Sequence, residues 1–206
     1  MGPKELQGWL GGIDVYLFDL VLKGRLTPDM RLLDAGCGSG RNLMWFLRTG
    51  FEVAAVDTDP RAVQAARRLA QQLAPSLPVE DFRVEPVEAM SFPDAGFDIV
   101  LANAVLHFAR DREHFEAMLD GLWRVLAPGG LLFARLASRI GLDPAALTAR
   151  GGGRFLLPDG SVRYLVDDEV LLAASERLGG QLIEPIRTVV VQGARAMATW
   201  CLAKPS

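Results

Sequence analysis

The sequence predicts an α/β fold built on a doubly wound, mostly parallel sheet, and three observations carry that expectation. A short apolar run, Leu32-Leu33, reaches Asp34 and is followed by the glycine loop Gly36-Cys37-Gly38-Ser39-Gly40. An amphipathic stretch from Asn42 to Arg48 closes on Gly50, and a second apolar run, Val53 to Val56, ends on Asp57. Further along, strand-like and helix-like segments keep alternating, the pattern of a parallel sheet wrapped by crossover helices. A length of 206 residues with 50% hydrophobic content suits one domain with a sizeable core.

The elements follow in order. In residues 1–24 the apolar positions Leu6, Trp9, Leu10, Ile13, Tyr16, Leu17, Leu20 and Val21 recur at helical spacing, broken at Gly11-Gly12. This segment reads either as a helix packed on the sheet edge or as a lid carrying Trp9 and Tyr16. After the second strand, Pro60 suits the first turn of a helix capped by Asp59, with Ala62 to Leu73 strongly helical. Residues 79–84 read as a strand, Phe97 to Ala102 as a buried strand, and Asp111 to Leu126 as a helix. Pro128-Gly129-Gly130 follows that helix, and Leu131 to Leu136 is the next strand. Residues 151–166 read as a hairpin or flap around Pro158-Asp159-Gly160. Asp167 to Leu178 is a helix capped by Asp167 or Asp168 and ended by Gly179-Gly180. Residues 181–191 and 195–203 form a closing antiparallel hairpin.

Strand, glycine loop, helix, strand and acid make one mononucleotide-binding βαβ unit. Glycines let the backbone approach a ligand closely, and a helix starting at about Gly40 aims free N–H groups at the loop. Asp57 lies about 20 residues past Gly36, the spacing of an acid that binds both ribose hydroxyls. A pyrophosphate loop needs a small residue at position 41, where this chain has Arg41. That disfavours an NAD-dependent oxidoreductase. The D-A-G-C-G-S-G stretch from Asp34, with the acid that follows, resembles motif I of class I S-adenosylmethionine (SAM) dependent methyltransferases. Arg41-Asn42 is most similar to the small-molecule branch that includes tellurite-resistance and thiopurine-type enzymes.

The resemblance implies a seven-stranded Rossmann-like sheet with one antiparallel strand, matched from about residue 30 to 203. It implies SAM as cofactor and S-adenosylhomocysteine (SAH) as product. Asp34, Gly36, Cys37 and Gly38 would hold the methionine moiety, and Asp57 the ribose, with Thr58 beside it in the cofactor set. Adenine would meet the backbone of Val87 and Glu88, with the Glu88 side chain either near the exocyclic amine or simply solvated. Asn103 and Ala104 would face the methionine part and His107 the transferred methyl. His107 is a general base or a positioning residue, and Tyr16 or Trp9 would favour the cationic methyl donor. The acceptor pocket would be lined by the N-terminal helix, His107 and the 138–166 insertion with Arg135, Arg139, Arg154, Arg163 and Tyr164. If two of these arginines face inward, an anionic acceptor is favoured; otherwise they are surface residues.

Composition narrows the partners. Net charge is −3 with no long run of like charge, which disfavours nucleic acid. No apolar stretch reaches the ~18 residues of a membrane span, and MGPKELQGWL lacks a signal-peptide pattern. Two widely separated cysteines suggest free thiols in a reducing cytoplasm. His107 and His114 stand too far apart to share a metal, and no metal site is expected. The expected protein is a cytoplasmic monomer or homodimer that methylates a small molecule. The rival from another class is a SAM- or SAH-binding module without catalysis.

Overall fold

The structure, a computed structural model, describes residues 2–206. Five strands, β1 (Arg31–Ala35), β2 (Glu52–Asp57), β3 (Phe82–Val84), β4 (Phe97–Asn103) and β5 (Leu126–Ser138), run parallel in the order β3-β2-β1-β4-β5. Strand β11 (Arg195–Ala203) adds antiparallel to β5, and β10 (Arg187–Val191) pairs antiparallel with β11. The two-residue strand β9 (Gln181–Leu182) also pairs with β11, making eight strands where seven are expected. The seven-strand path with one reversed strand is present; β9 is the addition. It exists because residues 181–191 are split, with Pro185, which has no N–H for a ladder, between the two pieces.

Side chains alternate between two cores, as a sheet covered on both faces requires. Leu33, Val56, Val100 and Leu132 point to one face, packed by α5 (Arg112–Val125) and α6 (Asp168–Leu178). Leu32, Val53, Ile99 and Phe133 point to the other, under α2 (Val15–Leu22), α3 (Leu43–Arg48) and α4 (Pro60–Leu73). Among the described residues four α-helix N-termini are capped by aspartate side chains, those of Asp14, Asp59, Asp111 and Asp167. Gly179, in the left-handed region, ends α6.

Several expectations need correction. Helix α3 begins at Leu43, three residues later than the glycine loop implied, because the chain first makes two successive tight turns, Gly40 N–H to Cys37 O and Leu43 N–H to Gly40 O. Only Phe82–Val84 of the 79–84 stretch is strand, since Val79–Asp81 coils into one tight turn. β5 starts directly at Leu126, and Pro128-Gly129-Gly130 lies in an irregularity of its pairing with β4 instead of a connecting loop. The flap is a three-stranded antiparallel sheet of β6 (Thr148–Gly151), β7 (Arg154–Leu156) and β8 (Val162–Tyr164). Its β7–β8 turn is the Pro158-Asp159-Gly160 turn as read. In the N-terminal segment, α1 (Pro3–Leu10) buries none of its residues, whereas α2 buries Leu17 and Leu20 against the sheet.

Candidate active site

The carboxyl ends of β1, β2, β4 and β5 meet at one rim, and the strand order reverses direction between β1 and β4. Open α/β sheets bind ligands at such a switch point. Two cavities lie there, and Ala104 lines both.

The first, about 520 Å³, is lined by the glycine loop (Gly36, Gly38), the tip of β2 (Asp57, Thr58), residues Glu85–Glu88, and Ala104, Val105, Phe108, His114 and Met118. Gly36 has φ +81°, and a Cβ there would lie 2.5 Å from Val105 Cγ2, so no other residue fits this bend. Asp57 accepts hydrogen bonds from the N–H of Gly38 (2.8 Å) and of Asp59 (2.9 Å). One carboxylate therefore fastens the glycine loop to β2 while lining the cavity. At the far end, Glu88 Oε1 lies 3.0 Å from His114 Nε2. Because His114 Nδ1 accepts from the Arg110 N–H, its proton resides on Nε2, which donates to Glu88. The Val87 turn is pressed onto α5 at Gly121, where a Cβ would sit 2.3 Å from Val87 O.

Asp34, in β1 two residues ahead of Gly36, is 1% exposed, and neither of its carboxylate oxygens finds a hydrogen-bond partner among the described residues. Burial raises its pKa to about 7, Arg41 pulling it down and Asp57 adding to the rise. A buried carboxyl without a partner is costly unless something cationic completes it. Both side-chain polar atoms of Asn103 are likewise unpartnered. An amino-acid moiety, with an ammonium for Asp34 and polar atoms for Asn103, supplies what these residues lack, so the site fits SAM.

The second cavity, about 390 Å³, is lined by Arg41, Asn103, Ala104, His107, Arg135, Ala137, the flap residues Leu157, Asp159, Ser161 and Arg163, and Val189, Val191, Arg195 and Met197 of the closing hairpin. Arg135 Nη1 bonds Asp14 Oδ2 at 2.8 Å, and Asp14 in turn caps α2 and takes the Asn42 side chain on its N–H. Arg163 lies over the ring of Phe108, 4.9 Å from its centroid, linking the flap to the first cavity. His107 Nδ1 accepts from the Ala137 N–H at 3.2 Å, which leaves the proton on Nε2. Burial, reinforced by the charge of Arg163, lowers its pKa to about 4. In this arrangement His107 is a neutral hydrogen-bond donor at Nε2, which favours the positioning role over that of a general base.

Of the residues singled out from sequence, Gly36, Gly38, Asp57, Thr58, Val87, Glu88 and Ala104 line the first cavity, and Asn103, Ala104 and His107 the second. Cys37 does not: its side chain sits in the core beneath α2 and α3, and burial pushes its thiol pKa up. Tyr16 lines neither cavity; its ring stands 5.3 Å from the Arg135 guanidinium carbon. Trp9 lies against Arg48 on the outside of α3, away from both cavities. Tyr164 also departs, stacked on Phe115 with ring centroids 4.8 Å apart beneath α6. Arg139 pairs with Asp167 and Arg154 is outside the cavity, so Arg135 and Arg163 are the two expected arginines that face it. Sequence reading missed Arg41 and Arg195 for the second cavity and His114 and Phe108 for the first. His114, three residues after the helix cap Asp111, shows in the sequence only as a possible metal ligand, and its contact with Glu88 comes from the fold. No group of His, Cys, Asp and Glu able to hold a metal occurs among the described residues.

Comparison with known proteins agrees with this geometry. Residues 33–134 match a family model described as a methyltransferase domain. A ubiquinone biosynthesis O-methyltransferase of Methylocella silvestris is 40% identical over 115 residues, 56% of this chain and 43% of that protein. The chain therefore spans less than half of that relative's length. A ubiquinone biosynthesis O-methyltransferase of Xanthomonas campestris is 31% identical over 220 residues, 99% of this chain and 87% of the relative. A crystal structure of a SAM-dependent methyltransferase from Methanosarcina mazei superposes with a TM-score of 0.69 at 20% identity, covering 90% of this chain and 97% of that one, and so shares the fold. The motif, the fold and the near full-length relative together place the chain in the class I SAM-dependent methyltransferases.

Proposed function

We propose that this chain transfers a methyl group from SAM to a small-molecule acceptor seated in the second cavity, yielding SAH. The observation that carries this reading is two buried side chains without partners, Asp34 near the end of β1 and Asn103 at the end of β4, beside two cavities that share Ala104. Bound in the first cavity, SAM supplies a methyl carbon already activated by its sulfonium. The residues bind and orient. Asp34 and Asn103 receive the amino-acid end, the Gly36–Gly38 backbone lies along it, and Asp57 accepts the ribose hydroxyls. Glu88, fixed by His114, and the Val87 turn frame the adenine.

Ala104 has φ +63°, strained for a residue with a Cβ, and its N–H is held by Arg135 O at 2.7 Å. The strain sits where the two cavities meet, as expected if that backbone fixes the gap between donor and acceptor. Alignment in a site shielded from water is the main catalytic contribution asked of the protein. His107 presents its Nε2–H to the acceptor side as a positioning group. Four arginines lining the second cavity favour an acceptor that carries negative charge.

The test is SAH formation from SAM with pooled small acids, phenols and amines. Acceptor-dependent SAH that disappears in Asp57→Ala supports the reading. SAH binding with no turnover of any pool would instead favour a non-catalytic SAM- or SAH-binding protein.

A further inference from the structure

Resting on the methyl-transfer reading, we infer that the acceptor is a carboxylate with an apolar body, and that its carboxylate oxygen is itself the nucleophile, giving a methyl ester. The second cavity is distinguished by what it lacks. A neutral alcohol or phenol needs a group to take its proton. The side chains there that titrate without being permanently charged are His107 and Asp159. The Nδ1 lone pair of His107 is already used by the Ala137 N–H. Asp159 Oδ1 accepts from both the N–H (2.9 Å) and the Oγ (2.6 Å) of Ser161, and these bonds hold its pKa below the usual carboxylate range. Neither is a competent base.

What the cavity does offer is an excess of positive charge, four arginines against the single carboxylate of Asp159, which lies in the field of Arg163 and Arg195. Arg135 is paired with Asp14, but Arg41, Arg163 and Arg195 make no ion pair among the described residues. Part of the lining is apolar, formed by Leu157 of the flap and by Val189 and Met197 of the closing hairpin. Guanidinium forks suit a carboxylate, and the apolar lining suits a hydrocarbon body. The step balances without a proton. A carboxylate oxygen forms the new O–CH₃ bond as the methyl–sulfur bond breaks, and the bonding pair goes to sulfur. The negative and positive charges are cancelled in the products.

The experiment uses the full chain with methyl-labelled SAM and matched probes: octanoate against 1-octanol, and 3-phenylpropanoate against 3-phenylpropan-1-ol and catechol. SAH binding is measured on the same preparation. The expected result is further thermal stabilisation of the SAH complex by the acids but not the alcohols. Label should be transferred to the acids and released as methanol by mild alkali. Arg195→Gln should raise the KM for the acids about tenfold or more while leaving SAH affinity unchanged. Normal SAH binding with no preference for acids in binding or turnover would overturn the inference, as would base-stable label in catechol. Failure of SAH itself to bind would remove the underlying methyl-transfer reading, a separately visible outcome.

Discussion

Asp34 should make cofactor affinity depend on pH in a way that few surface carboxylates would. With a pKa raised to about 7 by burial, the free protein holds this group largely protonated in mildly acid solution. Pairing with an ammonium requires the carboxylate, so binding below pH 7 must first expel a proton. Each pH unit below that point then weakens binding about tenfold, and between pH 8 and 5.5 the loss is ~30-fold, roughly 2 kcal/mol. Calorimetric titration with SAH in buffers of different ionisation enthalpy reads both quantities. About one proton should be released per SAH at pH 6 and nearly none at pH 8. Asp34→Asn should bind weakly with a flat profile. A pH-independent Kd in the parent, or the same slope in the Asn variant, would refute the role given to Asp34. The linkage also has a stability side. A raised carboxyl pKa means that the folded state binds more protons than the unfolded one between about pH 4 and 7, so this contribution is lost as pH rises through that window. Free Asp34→Asn should therefore melt above the parent at pH 8 although it has lost function. His107 acts with the opposite sign: its folded pKa of about 4 withdraws stability as pH falls from about 6.5 toward 4.

Other perturbations follow from the same geometry. Asp57→Ala removes the acceptor for two loop amides as well as the proposed ribose contact, and SAH affinity should fall by about 100-fold or more, read by calorimetry. Gly121→Ala drives a methyl into Val87 O; overpacking of this kind costs about 1–3 kcal/mol, a drop of ~2–10 °C in melting midpoint, with weaker SAH binding because the adenine frame shifts. His107→Gln, which can keep one hydrogen bond to the Ala137 N–H, should lower kcat less than tenfold and leave the pH–rate profile unchanged, whereas loss of a general base costs about 10²–10⁴-fold.

The sheet and the cofactor loop were legible in the sequence because each rests on local chemistry. Apolar runs of strand length, glycines at forced bends and an acid at a strand tip carry their meaning within a few residues, as Gly36 and Asp57 illustrate. The second cavity was less legible because distant segments build it. Arg41 follows the glycine loop, Arg163 is in the flap and Arg195 opens the last strand, and only strand pairing brings them together. Tyr164 misled for a related reason: it is adjacent to Arg163, and successive residues of a strand face opposite sides. The role of His107 depended on which ring nitrogen meets Ala137, a contact 30 positions away. No periodicity reports that. The sequence places Pro128-Gly129-Gly130 between the helix and the next strand, yet β4 and β5 pair on both sides of it.

The central claim is that the cavity under the glycine loop is a SAM site anchored by Asp57, and a thermal-shift titration with SAM, SAH and NAD on the parent and Asp57→Ala tests it most directly. A ligand at about 100 times its Kd stabilises by ~2.7 kcal/mol, or ~5–10 °C for a chain of this size. The account predicts that shift with SAM and SAH, none with NAD, and its loss in Asp57→Ala. A shift with NAD alone, or an undiminished SAH shift in Asp57→Ala, would contradict it.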